Sequence, residues 1–152
     1  MNWKSIKDSI YFEDGSLRDI VISDWSIEAW EKWVDLVNRK YKLEFYNGQT
    51  EESTDKIDFQ IINQYWKGKS DLVNTATIHL DQVIIKCYFF DSREFENDIQ
   101  PQEFRSIANH FRLINYLVDI SNLSGKTVFL TGENSTDEVL LEVSGKQVKY
   151  FA

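Results

Sequence analysis

The chain has 152 residues, of which 42% are hydrophobic and 14% aromatic, and its 25 acidic against 17 basic residues give a net charge of −8. Such a length and composition exclude a disordered chain and predict one globular domain over residues 1–152. The negative charge opposes binding to nucleic acid or anionic lipid, whose phosphates need cations on the protein, but it is compatible with a basic protein partner.

Two features predict a cytoplasmic location. The single cysteine, Cys87, cannot form an internal disulfide, so the sequence does not call for an oxidising compartment. Residues 1–7 lack the long apolar segment of a secretory signal, and no run reaches the roughly 18 apolar residues that span a bilayer. We therefore expect a cytoplasmic protein that makes no membrane contact.

The first part of the chain is predicted to hold a β-hairpin and a helix. Two short apolar runs, residues 9–12 and 17–22, flank an Asp-Gly pair, which is a good hairpin signal. A helix beginning between Asp24 and Ile27 should follow, because apolar residues recur there at spacings of three and four. Its apolar stripe is expected in the core: Ile27, Trp30, Trp33, Val34 and Val37.

The next segments are predicted to be a strand over residues 41–46, an exposed polar loop over residues 49–55 and an ambiguous element over residues 57–66. The apolar residues of the ambiguous element fit a helix, yet some also alternate as in a strand. We favour the helix, because ten residues without a turn signal is long for a strand. The loop supplies the first candidates for binding a basic partner, through charge that speeds association: Glu51, Glu52 and Asp55.

Residues 83–90 form the longest nearly apolar run and predict a central strand. Both of its alternating faces are largely apolar, so we expect cover on both sides, with Lys86 reaching past its neighbours to solvent. A strand over residues 75–80 should precede it. Residues 95–99 should add a short edge strand, whose charges discourage pairing with another chain.

Pro101 is predicted to begin the longest helix, which should end near Leu123 with Gly125 as the stop. One stripe of this helix is expected on the sheet: Phe104, Ile107, Ala108, Phe111, Ile114 and Val118. A second stripe lies opposite and needs cover from another element or another chain: Leu113, Tyr116, Leu117 and Ile120. With strands over residues 127–131, 139–143 and 147–151, the elements predict an α+β fold, a mainly antiparallel β-sheet with two long helices, and a possible third, packed on it.

No constellation of residues predicts an enzyme, a metal site or a cofactor. His79, His110 and Cys87 fall on different elements without the spacing of metal ligands, and Cys87 suits an inert core thiol. Glu94 and Glu96 would share one face of an extended segment, where a carboxylate pair can perform acid–base chemistry. We interpret them instead as a solvated acidic edge, since perturbed carboxylates need a cleft.

Several turn and core motifs resemble those of small bacterial α+β proteins. The motifs are Phe12-Glu13-Asp14-Gly15-Ser16-Leu17-Arg18-Asp19-Ile20 followed by Trp30, then Cys87-Tyr88-Phe89-Phe90, Phe95-Glu96-Asn97-Asp98-Ile99-Gln100-Pro101 and Gly132-Glu133-Asn134-Ser135. The pattern is similar to uncharacterised cytosolic proteins, among them immunity proteins of polymorphic-toxin systems. The resemblance implies the fold and a toxin-masking role, and it assigns no binding residue.

The favoured function is therefore a non-enzymatic protein-binding module that masks a basic partner such as a toxin. Acidic charge steers encounter and aromatic residues anchor interfaces, so the composition suits this role. The alternatives are a small-ligand-binding or enzymatic α+β domain, with Trp30, Trp33 or Trp66 lining a pocket, and a homo-oligomer without ligand. We expect a monomer or a homodimer.

Overall fold

A computed structural model describes residues 2–68 and 72–151 and has an α+β fold. In chain order its elements are α1 (Trp3–Ile10), β1 (Arg18–Val21), α2 (Ile27–Lys40), β2 (Lys42–Asn47), β3 (Glu52–Thr54), α3 (Phe59–Trp66), β4 (Thr75–Leu80), β5 (Val83–Tyr88), β6 (Glu96–Ile99), a 3-10 turn (Pro101–Glu103), α4 (Ile107–Ser124), β7 (Val128–Gly132), β8 (Ser135–Ser144) and β9 (Gln147–Tyr150). The prediction of two long helices with a possible third is not confirmed. The described residues form four α-helices, and α1 and α3 have only eight residues each.

The nine strands form one antiparallel sheet in the order β3-β2-β4-β5-β6-β1-β7-β8-β9. Strand β1 therefore lies between β6 and β7, although both come much later in the sequence. The prediction that residues 95–99 form an edge strand is wrong, because β6 pairs with β5 on one side and with β1 on the other.

The helices cover one face of this sheet. Along β5, Val83, Ile85 and Cys87 are fully buried and join the buried helix residues in one hydrophobic cluster. Their neighbours on the strand, at positions 84, 86 and 88, are only partly buried. The expectation of cover on both sides of this strand is therefore wrong, and we call the uncovered side of the sheet the open face.

Residues 9–12, predicted as a strand, belong instead to α1 and the turn after it. The Asn2 side chain caps α1 by accepting a hydrogen bond from Ser5 N at 2.9 Å, and the helix buries Ile6 and Ile10. The Asp-Gly turn is real, but it joins a helix to β1 and not two paired strands. Gly15 has φ 86° there, a left-handed conformation that favours glycine.

Helices α2 and α3 form where the sequence predicts helices, but Ile27, expected in the core stripe of α2, is 38% exposed. Ser26 caps α2, and Trp30 and Trp33 are fully buried, so their prediction as core residues is confirmed. Of the segment over residues 57–66, which fitted either a helix or a strand, Phe59–Trp66 forms helix α3, and Asp58 caps it.

The second predicted stripe of helix α4 is covered within the chain, whereas the stripe predicted to lie on the sheet is only partly buried, with Phe104 and Ile114 buried and Ile107, Ala108 and Phe111 exposed. Leu113, Tyr116, Leu117 and Ile120 are fully buried, whereas Phe111 is 51% exposed. The buried stripe also contains polar residues that weaken its apolar pattern: Asn109, His110 and Ser121. The helix starts at Ile107, after a Ser106 cap and a separate 3-10 turn at Pro101, and it ends at Gly125 as predicted.

Candidate functional site

The strand register lines up side chains on the open face across five neighbouring strands. The paired positions, from β2 through β4, β5 and β6 to β1, are Glu44, Thr77, Lys86, Asp98 and Asp19. Because directly opposed residues of an antiparallel pair point to the same face, these five form one row. The row ends with two aspartates facing each other on interior strands.

A concavity of about 650 Å³ lies at this end of the row, and we call it the acidic groove. Five carboxylates line it: Asp19, Glu94, Glu96, Asp98 and Glu133. The apolar lining residues whose side chains are not buried in the core are Leu17, Val21, Tyr88 and Phe90. The groove thus combines apolar walls with concentrated negative charge, and its volume is within the range of ligand-binding clefts.

The carboxylates of the acidic groove form no close ion pair among the described residues, although Lys86 lies opposite Asp98 in the row and its charge, like a hydrogen bond from Tyr88, lowers the pKa of Asp98. Among the described residues, none of the five lies within 4.0 Å of a lysine, arginine or histidine nitrogen. Arg93 also lines the groove, but its Nε lies 3.7 Å from Asp91 Oδ1. Lys86, next in the row, donates to Thr77 Oγ1 at 3.3 Å. The groove therefore has an unneutralised negative charge.

Two of these carboxylates are positioned by the turn between β7 and β8. Glu133 Oε1 accepts a hydrogen bond from Leu17 N at 2.8 Å, and Asp19 Oδ2 accepts one from Asn134 N at 2.8 Å. These bonds join the turn to β1 and satisfy two backbone donors. Glu133 and Asp19 thus have a structural role in addition to their charge.

Strand β6 presents Glu96 and Asp98 to the open face because the residue between them is anchored in the core. Asn97 is 3% exposed, and its Oδ1 accepts a hydrogen bond from Tyr116 Oη at 2.5 Å. Tyr116 Oη accepts in turn from Trp33 Nε1 at 3.1 Å. Since side chains alternate along a strand, fixing Asn97 inward fixes both acidic neighbours outward.

Partial burial and mutual repulsion raise the pKa values of three groove carboxyls. The pKa of Asp98 rises from its ordinary 3.8 to about 6, mainly through partial burial and then through the charges of Asp19 and Glu133. Partial burial also raises the pKa of Glu96, with a further contribution from its hydrogen bond with Glu94. Partial burial raises the pKa of Asp19, although the Asn134 N–H opposes this. These shifts indicate that the groove holds more negative charge than its surroundings stabilise.

One side of the groove carries an aromatic pair. The rings of Tyr88 and Phe90 stack with centroids 5.5 Å apart and an interplanar angle of 10°, and Phe90 is 48% exposed. Aromatic faces next to carboxylates can bind a cation through the ring quadrupole as well as through charge.

The loop candidates from the sequence lie away from this groove. Glu52 begins β3, the short edge strand, Glu51 precedes it in a turn with φ 58°, and Asp55 follows it; all three are exposed. The prediction of a loop over residues 49–55 is therefore wrong for Glu52–Thr54, which form strand β3. Four interstrand spacings separate β3 from β6, or roughly 19 Å, so the two acidic surfaces are distinct.

The other residues singled out from sequence are dispersed. His110 is fully buried in a hydrogen-bonded chain with Tyr11 and Tyr150, Cys87 is fully buried, and His79 lies partly buried on the open face. Over residues 2–68 and 72–151, no group of three or more His, Cys, Asp or Glu side chains has an arrangement that could hold a metal ion. Burial raises the pKa of the Cys87 thiol, which makes it a poor nucleophile.

The sequence paired only Glu94 and Glu96, and their proximity is confirmed by a hydrogen bond between them. Their interpretation as a solvated acidic edge is wrong, because both line the groove and β6 is an interior strand. Sequence reasoning missed Asp19, Asp98 and Glu133, because the pairing of β1 with β6 and β7 leaves no local signal in the sequence.

Comparison with models of known families, with curated proteins and with solved structures finds no match. No helix in the described part of the chain is long and apolar enough to cross a membrane.

Proposed function

We propose that this chain is a non-enzymatic module that binds a basic protein partner on the open face of its sheet. Immunity proteins that mask toxins are the class of binding protein that it resembles. In this proposal the protein acts in the cytoplasm, as a monomer or homodimer, without a cofactor and without binding nucleic acid. The observation that carries the proposal is the row of open-face side chains that ends in an unneutralised acidic groove.

The extent of the open face supports a protein as the partner. Eight interstrand spacings give a nine-stranded sheet a width of roughly 38 Å, and the helices lie on the other side. Partly buried residues such as Ile84, Tyr88 and His79 extend along the open face beyond the groove. A protein surface can contact this area in full, whereas a small molecule would occupy the groove alone.

Charge supports a basic partner. The chain has a net charge of −8, and the groove concentrates five carboxylates, none of which forms an ion pair within 4.0 Å among the described residues. A cationic surface would relieve their repulsion, and long-range attraction would speed association at low salt. A polyphosphate partner would be repelled by the same charges.

The groove also supports the alternative of a small cationic ligand. Its volume of about 650 Å³ suits such a molecule, and carboxyls with raised pKa values are frequent at ligand-binding and catalytic sites. The two functions differ in which open-face residues they need. A small ligand requires the groove only, whereas a protein partner also requires the strands beyond it.

The test is affinity capture from a lysate of the source organism with a set of matched variants. We expect the wild-type chain to retain a basic protein that the double variant Glu96→Gln/Asp98→Asn retains several-fold less, because two groove charges are lost. The matched control, Glu51→Gln/Glu52→Gln, removes two charges at the other acidic surface and should retain the partner. Added salt should slow association of the purified pair.

Other outcomes would redirect or refute the proposal. Loss of the partner with the Glu51→Gln/Glu52→Gln control, and not with the groove variant, would move the binding surface to the β3 edge. A partner retained equally by all variants and at all salt concentrations would contradict charge-driven binding on the open face. Loss with Ile84→Glu or His79→Glu, outside the groove, would favour a protein over a small ligand.

A further inference from the structure

We propose that the acidic groove receives an arginine side chain of the basic partner, with its guanidinium against Asp98 and Glu96 and beside the stacked rings of Tyr88 and Phe90. This inference rests on the proposed function and specifies the chemical group that the groove recognises.

The groove has the shape and lining for a long side chain with a charged end. Leu17 and Val21 supply apolar wall from β1 and the residue before it, and Tyr88 and Phe90 supply it from the end of β5 and the residues that follow. The alkyl stem of an arginine can pack on such a wall while its head meets polar groups. A compact inorganic cation has no stem and would leave this apolar surface in contact with water.

The charges require a cation that can contact more than one carboxylate. Asp98 and Asp19 are directly opposed across the β1–β6 pair, and Glu96 lies two residues from Asp98 on the same face of β6. Like charges in directly opposed positions destabilise a sheet. A guanidinium has five N–H donors in a planar fork, so one group can donate to two carboxylates at once.

The aromatic pair favours guanidinium over ammonium. The Tyr88 and Phe90 rings are stacked 5.5 Å apart, and Phe90 is 48% exposed, so a planar group has an aromatic surface to rest on. Guanidinium stacks on aromatic rings and is more weakly hydrated than an ammonium, which loses more hydration on entering a partly apolar groove. An arginine should therefore bind more tightly than a lysine.

The groove can be tested without the natural partner. The probe is a capped Gly-Arg-Gly tripeptide titrated into the isotopically labelled full chain at low salt, followed by amide chemical shifts. We expect shifts in β1, β6, the end of β5 and the turn at residues 132–135. The isosteric citrulline peptide, which is neutral, should bind at least roughly tenfold more weakly, since it lacks charge-assisted hydrogen bonds.

Variants localise the interaction. Asp98→Asn and Tyr88→Ala should each weaken binding of the arginine peptide several-fold, whereas Asp55→Asn at the distant edge should leave it unchanged. Circular dichroism checks that each variant is folded. If Tyr88→Ala fails to fold, Phe90→Ala replaces it, because Phe90 is about half exposed and lies beyond the end of β5.

The result separates failure of this inference from failure of the proposed function. Equal binding of the arginine and citrulline peptides, equal binding of a capped Gly-Lys-Gly tripeptide, or shifts outside the groove would overturn the arginine assignment. Open-face capture of a protein partner could still hold in that case. Conversely, the groove could bind the arginine peptide tightly while the captured partner binds every open-face variant as well as it binds the wild-type chain. That result would keep the groove as an arginine site and refute the proposed function.

Discussion

Asp98 and Asp19 form a like-charged cross-strand pair in the interior of the sheet, where such a pair costs roughly 0.2–1 kcal/mol of stability. Natural sequences break local rules of this kind mainly at functional sites.

The pKa of the Asp98 carboxyl is raised to about 6, so the folded protein binds the carboxyl proton more strongly than the unfolded chain does. Between pH 3.8 and about 6, the free energy of unfolding therefore falls as pH rises.

We predict that Asp98→Asn stabilises the protein at pH 7.5 and has little effect at pH 4. The variant removes a charge that the folded state disfavours, and after solvent screening the gain should be roughly 0.5–1 kcal/mol. Urea unfolding at both pH values measures it. Asp55→Asn, at an exposed position beyond β3, is the control and should change neither value. An equal effect of Asp98→Asn at both pH values would contradict the raised pKa.

His110 should give the opposite pH dependence. Burial lowers the pKa of its imidazole from the ordinary 6.5 to about 4, so below pH 6.5 the unfolded chain takes up the proton and the folded protein does not. Stability conferred by the neutral ring is therefore lost as pH falls from 6.5 towards 4. The effect of Asp98 has the opposite sign in nearly the same window, and the two should partly cancel in the wild-type protein.

We predict that His110→Gln lowers the free energy of unfolding at pH 7.5. The variant should also lack the further loss of stability that the wild-type imidazole causes as pH falls from 6.5 towards 4. The neutral ring bridges Tyr11 Oη at 2.7 Å and Tyr150 Oη at 2.8 Å, so its removal should cost about 1–3 kcal/mol. Tyr150→Phe is the matched control, since it deletes one hydrogen bond and keeps the titrating ring. Thermal unfolding from pH 4.5 to 7.5 should show an acid-dependent loss in Tyr150→Phe and not in His110→Gln. The same acid dependence in both variants would exclude His110 as its source.

At the scale of the elements, helix α4 offers a direct test of which stripe is internal. Leu117 is fully buried and Phe111 is 51% exposed on the same helix. We predict that Leu117→Asp unfolds the protein or lowers its stability by about 3 kcal/mol or more, because it buries an unpaired charge. Phe111→Asp should change stability by less than about 0.5 kcal/mol. Urea unfolding measures both, and a Leu117→Asp protein of unchanged stability would contradict burial of this stripe; a fall in its mass in solution from dimer to monomer would make the stripe an interface between chains.

The sequence predicted α2 and most strands, because their apolar residues follow one period, and it favoured a helix for α3 only because the segment is long for a strand. It failed at α1 and at the faces of α4 for physical reasons. The short apolar run before the Asp-Gly turn suggested a strand, but the segment forms helix α1. Asn2 caps this helix, and Ile6 and Ile10, four residues apart, are its buried residues. In α4 the core stripe includes His110, whose polar ring is satisfied by two tyrosines from other elements, which no local pattern reveals.

At the scale of the whole molecule, the antiparallel α+β class could be predicted, but the strand order and the acidic groove could not. Short links between strands indicate neighbours, and they correctly join β4 to β5 and β8 to β9. The position of β1 depends on contacts with residues 97–99 and 129–132, which composition and spacing do not encode. Because the groove forms around β1, its residues could be recognised only after the topology was known.

The Cys87 thiol reports on opening of the whole molecule, since it is fully buried on an interior strand. We predict that a thiol reagent reacts with the native protein only as fast as the sheet opens, and that urea accelerates the reaction in step with loss of tryptophan fluorescence. Cys87→Ala supplies the background. Complete reaction of the native protein within the mixing time would contradict burial of the thiol.

Strand β1 is the seam between two half-sheets, β3-β2-β4-β5-β6 on one side and β7-β8-β9 on the other. Each half can assemble from strands close in sequence, but the seam closes only after the chain has been synthesised through residue 132, where β7 ends. Asp19 lies on the seam, Asp98 on one half and Glu133 beside the other. Asp19 and Asp98 meet when β1 pairs with β6, whereas Glu133 joins the groove only through the turn after β7. A chain that has not yet reached residue 133 would therefore carry four of the five groove carboxylates and would lack the Asn134 N–H that binds Asp19.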